Sequence, residues 1–284
     1  CPECGGLVVQ RTLRLPPREV GALVGRVSLT LLLSGAFALI LAGLLNYSLR
    51  GMVEPDTWLR EVLYPEGAMM IIPWTIIFLL LWGGFWLWVR SWLAFRERRM
   101  MESDLAESLL AMIGSGEPEQ LRTALEEVER IPPERRGMFL GRVDTALKEW
   151  QRGRSIDQIR EAVADENYLD ADTLEGSMNI VRVFIWAAPI IGFIGTVLGI
   201  SLSIGEFSQM IGEAGGAAMQ MSQVQRGLMT VTGGLAYAFN TTLVGLAAAL
   251  VLMIPTTYVQ RSEDGLLASL HRAVADRVFP HLGG

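Results

Sequence analysis

The apolar positions of the chain are gathered into four long stretches that contain no Asp, Glu, Lys, Arg or His. They cover residues 27–49, 67–89, 183–205 and 227–260. A helix of about 20 residues crosses the roughly 30 Å hydrocarbon core of a bilayer, so each stretch is long enough to span a membrane. Buried helices of a soluble core are seldom so long and so free of charge. The pattern therefore predicts an all-α membrane protein with four transmembrane helices.

The segment between the second and third stretches has a different pattern, in which charges of both signs alternate with apolar residues. Ser115-Gly-Glu-Pro118 and Ile131-Pro-Pro133 contain residues that end helices, so we expect three or four helices here. Ser155-Ile-Asp-Gln158 has the form of a capping box. A helix that begins near Ser155 is expected to continue into the third span, with Gly176 as its weakest point. The charged faces of this segment are either plain solvated surfaces or a docking surface for a cytoplasmic partner.

Arginine placement predicts the topology, because positively charged flanks stay on the cytoplasmic side of a membrane. Arginines precede the first span and follow the second, whereas the loops 50–66 and 206–226 also carry several carboxylates. Both termini are therefore expected in the cytoplasm. The predicted regions are an N-terminal tail (1–26), spans one and two (27–92), a cytoplasmic helical domain (93–182), spans three and four (183–260) and a C-terminal tail (261–284).

Composition excludes several classes of function. The chain is 51% hydrophobic and 19% charged with a net charge of −6, so it has no basic field for nucleic acid. We find no nucleophile, base and orienting group together, and expect no enzymatic activity.

Cys1-Pro-Glu-Cys4 resembles one half of a zinc ribbon, but the other Cys ligands that a structural zinc site requires are missing. No cofactor is expected; the alternative is a zinc site at Cys1 and Cys4.

Spans three and four carry the same stripe of small residues with a hydroxyl near its middle. Gly192, Thr196, Gly199 and Ser203 lie at steps of four, three and four, and the same steps separate Ala238, Thr242, Gly245 and Ala249. Such spacing places each set on one helix face. The stripes are either plain packing surfaces, with each Thr bonded to its own helix, or faces with a functional hydroxyl.

At these residues the chain resembles the MotA/TolQ/ExbB proton-channel family. The resemblance is carried by Ala188-Pro-Ile-Ile-Gly-Phe-Ile-Gly-Thr-Val-Leu-Gly-Ile and by Asn240-Thr-Thr-Leu-Val-Gly-Leu-Ala-Ala-Ala-Leu-Val-Leu-Met-Ile-Pro255. It includes the motif prolines Pro189 and Pro255. Four spans are typical of the MotA branch, whereas Thr in both motifs is typical of TolQ and ExbB, so the branch stays open. Tyr237 stands where ExbB-type sequences have a Glu.

The resemblance implies a subunit of a bacterial inner-membrane motor. Five copies would surround a dimer of a single-span partner of the MotB, TolR or ExbD kind, which carries a transmembrane Asp. Thr196 and Thr242 match the pore-facing hydroxyls of the family. The expected ion pathway comprises Thr196, Thr242, Thr241, Asn240 and Ser203. Packing at the pore is expected from Gly192, Gly195, Gly199, Ala238, Gly245 and Ala249.

The absence of charge from the four stretches adds a constraint, because a proton relay needs a titratable group inside the membrane. We therefore expect a partner to supply the carboxylate and this chain to supply hydroxyl and amide dipoles, with H⁺ or Na⁺ as the ion. Two other hypotheses remain from the sequence: a passive channel or permease component, and a membrane scaffold or sensor.

Overall fold

The computed structural model describes residues 17–54, 57–65, 67–213 and 221–283, and within them the chain is helical without strands. Four of its helices are long and apolar enough to cross a membrane. The predicted all-α membrane fold with four spans is therefore confirmed. The helices are α1 Pro17–Met52, α2 Trp58–Leu63, α3 Ile71–Met101, α4 Asp104–Gly114, α5 Pro118–Arg130, α6 Pro133–Gln151, α7 Ile156–Glu213, α8 Met221–Arg277 and α9 Phe279–Leu282.

Helices α7 and α8 extend far beyond any membrane. Helix α7 has 58 residues and α8 has 57, which is a length of roughly 85 Å at 1.5 Å per residue. The predicted capping box begins α7: the Ser155 N–H donates to Gln158 Oε1 (3.2 Å), and the Gln158 N–H donates to Ser155 Oγ (3.4 Å). Gly176 does not interrupt the helix. The continuous helix predicted from Ser155 into the third span is confirmed.

The extramembrane core, as we name it, is a cluster of large aliphatic side chains. It joins α4, α5 and α6 to the beginning of α7, the end of α8 and α9. Leu109, Leu140 and Leu147 from the short helices meet Ile159 of α7 and Leu270 of α8, and all five are at most 2% exposed. The two long helices thus connect the extramembrane core directly to the membrane spans.

Helix α3 lies between α1 on one side and α7 and α8 on the other. Trp82 donates to Ser34 Oγ of α1 (3.0 Å) and packs on the Phe184 ring of α7. Trp86 is buried and donates to the Ser177 carbonyl (3.1 Å). The tryptophans of the second span are therefore not all directed toward lipid. Indole rings serve packing between helices as well as the membrane interface.

Candidate functional site

The two stripes of small residues face each other within one chain. A Cβ on Gly192 would lie 2.7 Å from the Thr241 carbonyl oxygen, and one on Gly245 would lie 2.6 Å from the Ala188 carbonyl oxygen. Because these obstacles are backbone atoms, α7 and α8 touch backbone to backbone. Gly199 makes a third such approach, 3.0 Å from its Cβ position to the Gly234 carbonyl oxygen. The glycines predicted to pack at this site therefore pack the two motif helices together.

Thr196 and Thr242 meet at the middle of this contact. Their hydroxyl oxygens are hydrogen-bonded to each other. Thr196 Oγ1 also lies 3.0 Å from the Ala238 carbonyl oxygen of the opposite helix, and Thr242 Oγ1 lies 3.4 Å from that of Gly192. Both side chains are half-buried. The matched spacing of the two stripes thus brings together the two hydroxyls that the sequence singled out.

Thr241 and Ser203 have a different environment from the paired threonines. Thr241 is 1% exposed and its hydroxyl lies 3.0 Å from the Ala238 carbonyl oxygen. Ser203 is 6% exposed and donates to the Gly199 carbonyl (2.8 Å). Both hydroxyls are bonded inside their own helix, so within the chain they serve the α7–α8 contact. The assignment of either to an ion pathway concerns the assembled subunits and stays a prediction.

The other motif residues surround the same contact. Gly195 lies against the Thr241 side chain, and the Cα of Pro189 would be 3.2 Å from a Cβ on Gly245. Ala238 is fully buried, Ala249 and Asn240 are half-buried, and Pro255 is exposed. The structure thus brings most of the motif into one interface and leaves Pro255 on its outer surface.

Tyr237, at the family's Glu position, is buried at this interface and bonded to another element. Its hydroxyl donates to the Met69 carbonyl oxygen (2.7 Å), which belongs to the turn before α3. Its ring lies 2.8 Å from the Cβ position of Gly199. The side chain therefore ties the loop between spans one and two onto the motif helices.

A cavity of about 940 Å³ opens beside Tyr237, between α2 and the adjoining parts of α7 and α8. It is lined on one side by Ser203 and Asn240 of the predicted set and on the other by Arg60 and Glu61. Glu206, whose carboxylate could attract cations, also lines it. The sequence pattern identified the motif residues but not α2, which covers them.

A buried ion pair between Arg90 and Glu263 lies at the opposite end of the spans from this cavity. Arg90 Nε donates to Glu263 Oε1 (2.8 Å), and its other nitrogens donate to Ser177 Oγ and to the Leu174 carbonyl oxygen (3.2 Å). Arg90 and Glu263 are each less than 10% exposed. One guanidinium thus binds α3, α7 and α8 together. From the sequence, Arg90 served only to predict the topology. The available signal for its structural role was its position directly after the uncharged stretch 67–89.

The zinc hypothesis rests on Cys1 and Cys4, which lie outside the described residues. Within the described part, no group of three or more His, Cys, Asp and Glu side chains is arranged to hold a metal ion.

The model of the family described as the MotA/TolQ/ExbB proton channel family matches residues 96–271, which include α4 to α7 and most of α8. No curated protein and no solved structure matches the chain.

Proposed function

The chain belongs to the MotA/TolQ/ExbB proton channel family, and on this premise we propose that it is the ion-channel subunit of a bacterial inner-membrane motor. In this role it couples the flow of protons or sodium ions to mechanical work and catalyses no chemical reaction. The observation that carries the proposal is the hydroxyl pair of Thr196 and Thr242, which joins the two motif helices in a part of the chain without charge.

The hydroxyl pair is suited to a carboxylate that changes its charge. Each hydroxyl has one hydrogen and can also accept, and the pair shares the carbonyl oxygens of Gly192 and Ala238 as further acceptors. A hydroxyl can therefore turn its hydrogen toward an ionised carboxylate and return it to a backbone carbonyl when the carboxylate is protonated. The rotation leaves no buried donor unpaired, which keeps its free-energy cost small.

The carboxylate itself comes from a partner in this proposal. The family generally works with a single-span protein of the MotB, TolR or ExbD kind, and the four uncharged stretches of this chain supply no proton carrier of their own. An Asp on the partner's helix, beside the threonines, would take up the ion from one side of the membrane and release it to the other. A membrane potential supplies about 2.3 kcal/mol per charge per 100 mV for this transfer.

A ring of five subunits around two partner helices is what the family resemblance implies, and the single chain leaves apolar faces uncovered that such a ring would use. Phe193 and Val197 on α7 and Leu243 and Leu250 on α8 are each more than half exposed. Neighbouring copies, the partner helices and lipid would cover these faces. With five-fold against two-fold symmetry not all contacts can be satisfied at once, so each protonation change favours a step to a new position.

The cavity at α2 is the proposed access route from outside. The carboxylates of Glu61 and Glu206 line it together with Arg60, and Asn240 and Ser203 belong to the same lining. Carboxylates at an opening raise the local concentration of cations. The positive-inside pattern of the flanking arginines supports a cytoplasmic location for both termini and for the extramembrane core.

The test is ion flux in proteoliposomes that contain the chain and its co-purified single-span partner. Thr196→Val and Thr242→Val keep the shape of the side chain and remove the hydroxyl, so flux should fall at least about tenfold in each, in line with the loss of a charge-solvating hydrogen bond. Thr257→Val is the matched control, because Thr257 is exposed on α8 and bonds only its own helix.

Three results would contradict the proposal. The first is unchanged flux in the folded Thr196 and Thr242 variants, which is the result that a scaffold or sensor predicts. The second is full flux from this chain without a partner, as a passive channel predicts. The third is a co-purified partner whose membrane helix has no Asp.

A further inference from the structure

Helix α3 carries an exposed face of aromatic and arginine side chains at its C-terminal end. It consists of Trp88, Trp92, Phe95, Arg96 and Arg99, and we name it the aromatic–arginine patch. Trp88 is 64% exposed, and Trp92 and Phe95 are each 52% exposed. Their spacing of three and four residues places them on one side of the helix. This side is opposite to Trp86 and Arg90, which are buried against α7 and α8.

The patch lies at the level of a membrane interface. The uncharged stretch ends at Val89, and Trp92 follows by one helical turn. Side chains on a helix lean toward its N-terminus, and both arginines follow this rule. The Arg96 guanidinium lies 5.7 Å from the Trp92 ring centre, and that of Arg99 lies 4.6 Å from the Phe95 ring centre. Each charge is thus directed about four residues, roughly 6 Å, back toward the headgroup layer.

The two arginines of the patch have unused hydrogen-bond donors. In the described part of the chain Arg99 makes neither a hydrogen bond nor an ion pair, and the nearest carboxylate oxygen to Arg96 is that of Glu97 at 3.9 Å, beyond hydrogen-bond distance. In contrast, Arg90 and Arg98 bond acceptors on α7 or α8. Glu102, the next acidic residue after Arg99, forms no ion pair with it. Both guanidinium groups therefore keep donors that no acceptor of the described chain uses, although Arg96 lies within ion-pair distance of Glu97.

We propose that the aromatic–arginine patch binds the headgroup of an anionic phospholipid. The phosphodiester accepts paired hydrogen bonds from the guanidinium groups of Arg96 and Arg99, as planar guanidinium favours. The rings of Trp88 and Trp92 pack against the glycerol and the upper acyl chain, where amphipathic aromatic side chains prefer to lie. The site depends on neither ion transport nor the partner.

The experiment is native mass spectrometry of the full chain in mild detergent, with phosphatidylglycerol or phosphatidylcholine added at matched concentrations. We expect more phosphatidylglycerol than phosphatidylcholine to stay bound. Each basic residue near an anionic headgroup strengthens binding severalfold, so R96Q/R99Q should weaken phosphatidylglycerol binding roughly 10- to 30-fold. R96K/R99K keeps the charge but not the paired geometry. Its phosphatidylglycerol binding should therefore be weaker than that of the unaltered chain and stronger than that of R96Q/R99Q.

The matched control is R122Q/R130Q. It removes the same charge from two exposed arginines of α5 that pair with Glu119 and Glu127, away from the spans. It should bind phosphatidylglycerol as the unaltered chain does. A thermal melt of each variant shows that the fold is retained.

Equal phosphatidylglycerol binding by the unaltered chain and R96Q/R99Q would overturn the proposal, and so would equal binding of the two lipids. Glycerol phosphate that binds as tightly as phosphatidylglycerol would assign the site to a soluble anion instead. A lower subunit count in R96Q/R99Q with lipid binding unchanged would assign this face to a contact between copies of the chain.

Discussion

Helices α7 and α8 meet in two regions that are packed in opposite ways. In the membrane region Gly192 and Gly245 lie against bare backbone, and Gly199 lies against the Tyr237 ring and the Gly234 carbonyl. In the extramembrane core the same two helices contribute Ile159, Val163 and Leu270, all fully buried, to a cluster of large side chains. Lipid offers no gain for burying apolar surface, so helices there associate through close approach. In water the burial of large apolar side chains stabilises the contact.

The two regions also differ in the charge that they bury. The contact between the spans buries hydroxyl groups. Beside the extramembrane core, in contrast, Arg142 is fully buried and pairs with Asp170 (3.0 Å). Burial raises the pKa of Glu97, Glu166 and Asp170 above their ordinary values, and the nearby Arg142 guanidinium opposes this rise. A buried charge is tolerated only beside opposite charges and hydrogen bonds. In the extramembrane region Arg142 meets this condition only in part, because its Nη2 pairs with Asp170 while its Nε and Nη1 are buried without a hydrogen-bond partner among the described residues. The uncharged stretches of the spans bury no charge at all.

Removal of the central arginine is expected to have the largest effect. Arg142→Met fills a similar volume but leaves the surrounding carboxylates without their cation, so unfolding free energy should fall by about 3–5 kcal/mol. Denaturant unfolding followed by circular dichroism measures the loss. Arg122→Met, at an exposed surface pair, should change little.

Asp170→Asn in the Arg142→Met background provides the second control. It removes one of the uncompensated charges, so it should recover part of the lost stability. An Arg142→Met variant as stable as the unaltered chain would show that the carboxylates do not need their cation.

A methyl group in the membrane contact is expected to have the next largest effect. Gly192→Ala places a Cβ against the Thr241 carbonyl, and the resulting strain should cost about 1–3 kcal/mol of stability. Gly205→Ala is the matched control on α7, because its Cβ would meet nothing within 4 Å. Thermal unfolding in detergent compares the two. Equal melting temperatures for both variants would mean that the helices do not need this close approach.

Glu166→Gln should give a smaller effect that depends on pH. Glu166 Oε2 is buried without a hydrogen-bond partner, and burial raises the pKa of this carboxyl. When the pKa of a carboxyl is higher in the folded state than in the unfolded state, its protonated form stabilises the fold. This stabilisation is fully present below the unfolded-state pKa and is lost as the pH rises through the folded-state pKa. The ionised carboxylate therefore costs stability at neutral pH, and Gln should add about 1 kcal/mol at pH 7.5.

The advantage of Gln should shrink toward zero as pH falls below the ordinary glutamate pKa, where Glu166 becomes protonated in both states. Melting temperatures across this range measure it, with Glu161→Gln, exposed on the same helix, as the control. A constant difference between Glu166→Gln and the unaltered chain at all pH values would contradict the titration of Glu166.

Much of the candidate site could be predicted because it repeats a local pattern. Thr196 and Thr242 were found from identical steps of small residues on two helices, and the structure pairs their hydroxyls. The position of Tyr237 was also visible, but its role was not, because its acceptor on Met69 lies 168 residues away in the chain. Periodicity reports which residues share a face and says nothing of what lies opposite.

The four spans, the capping box at Ser155 and the unbroken course of α7 follow from the sequence alone, since length, charge and helical period are local properties of a chain. The packing of the helices, in contrast, makes the two stripes face each other, joins Arg90 to Glu263 and buries Arg142 among carboxylates. These contacts connect residues far apart in the chain. They depend on how the helices pack, and no local pattern specifies that arrangement.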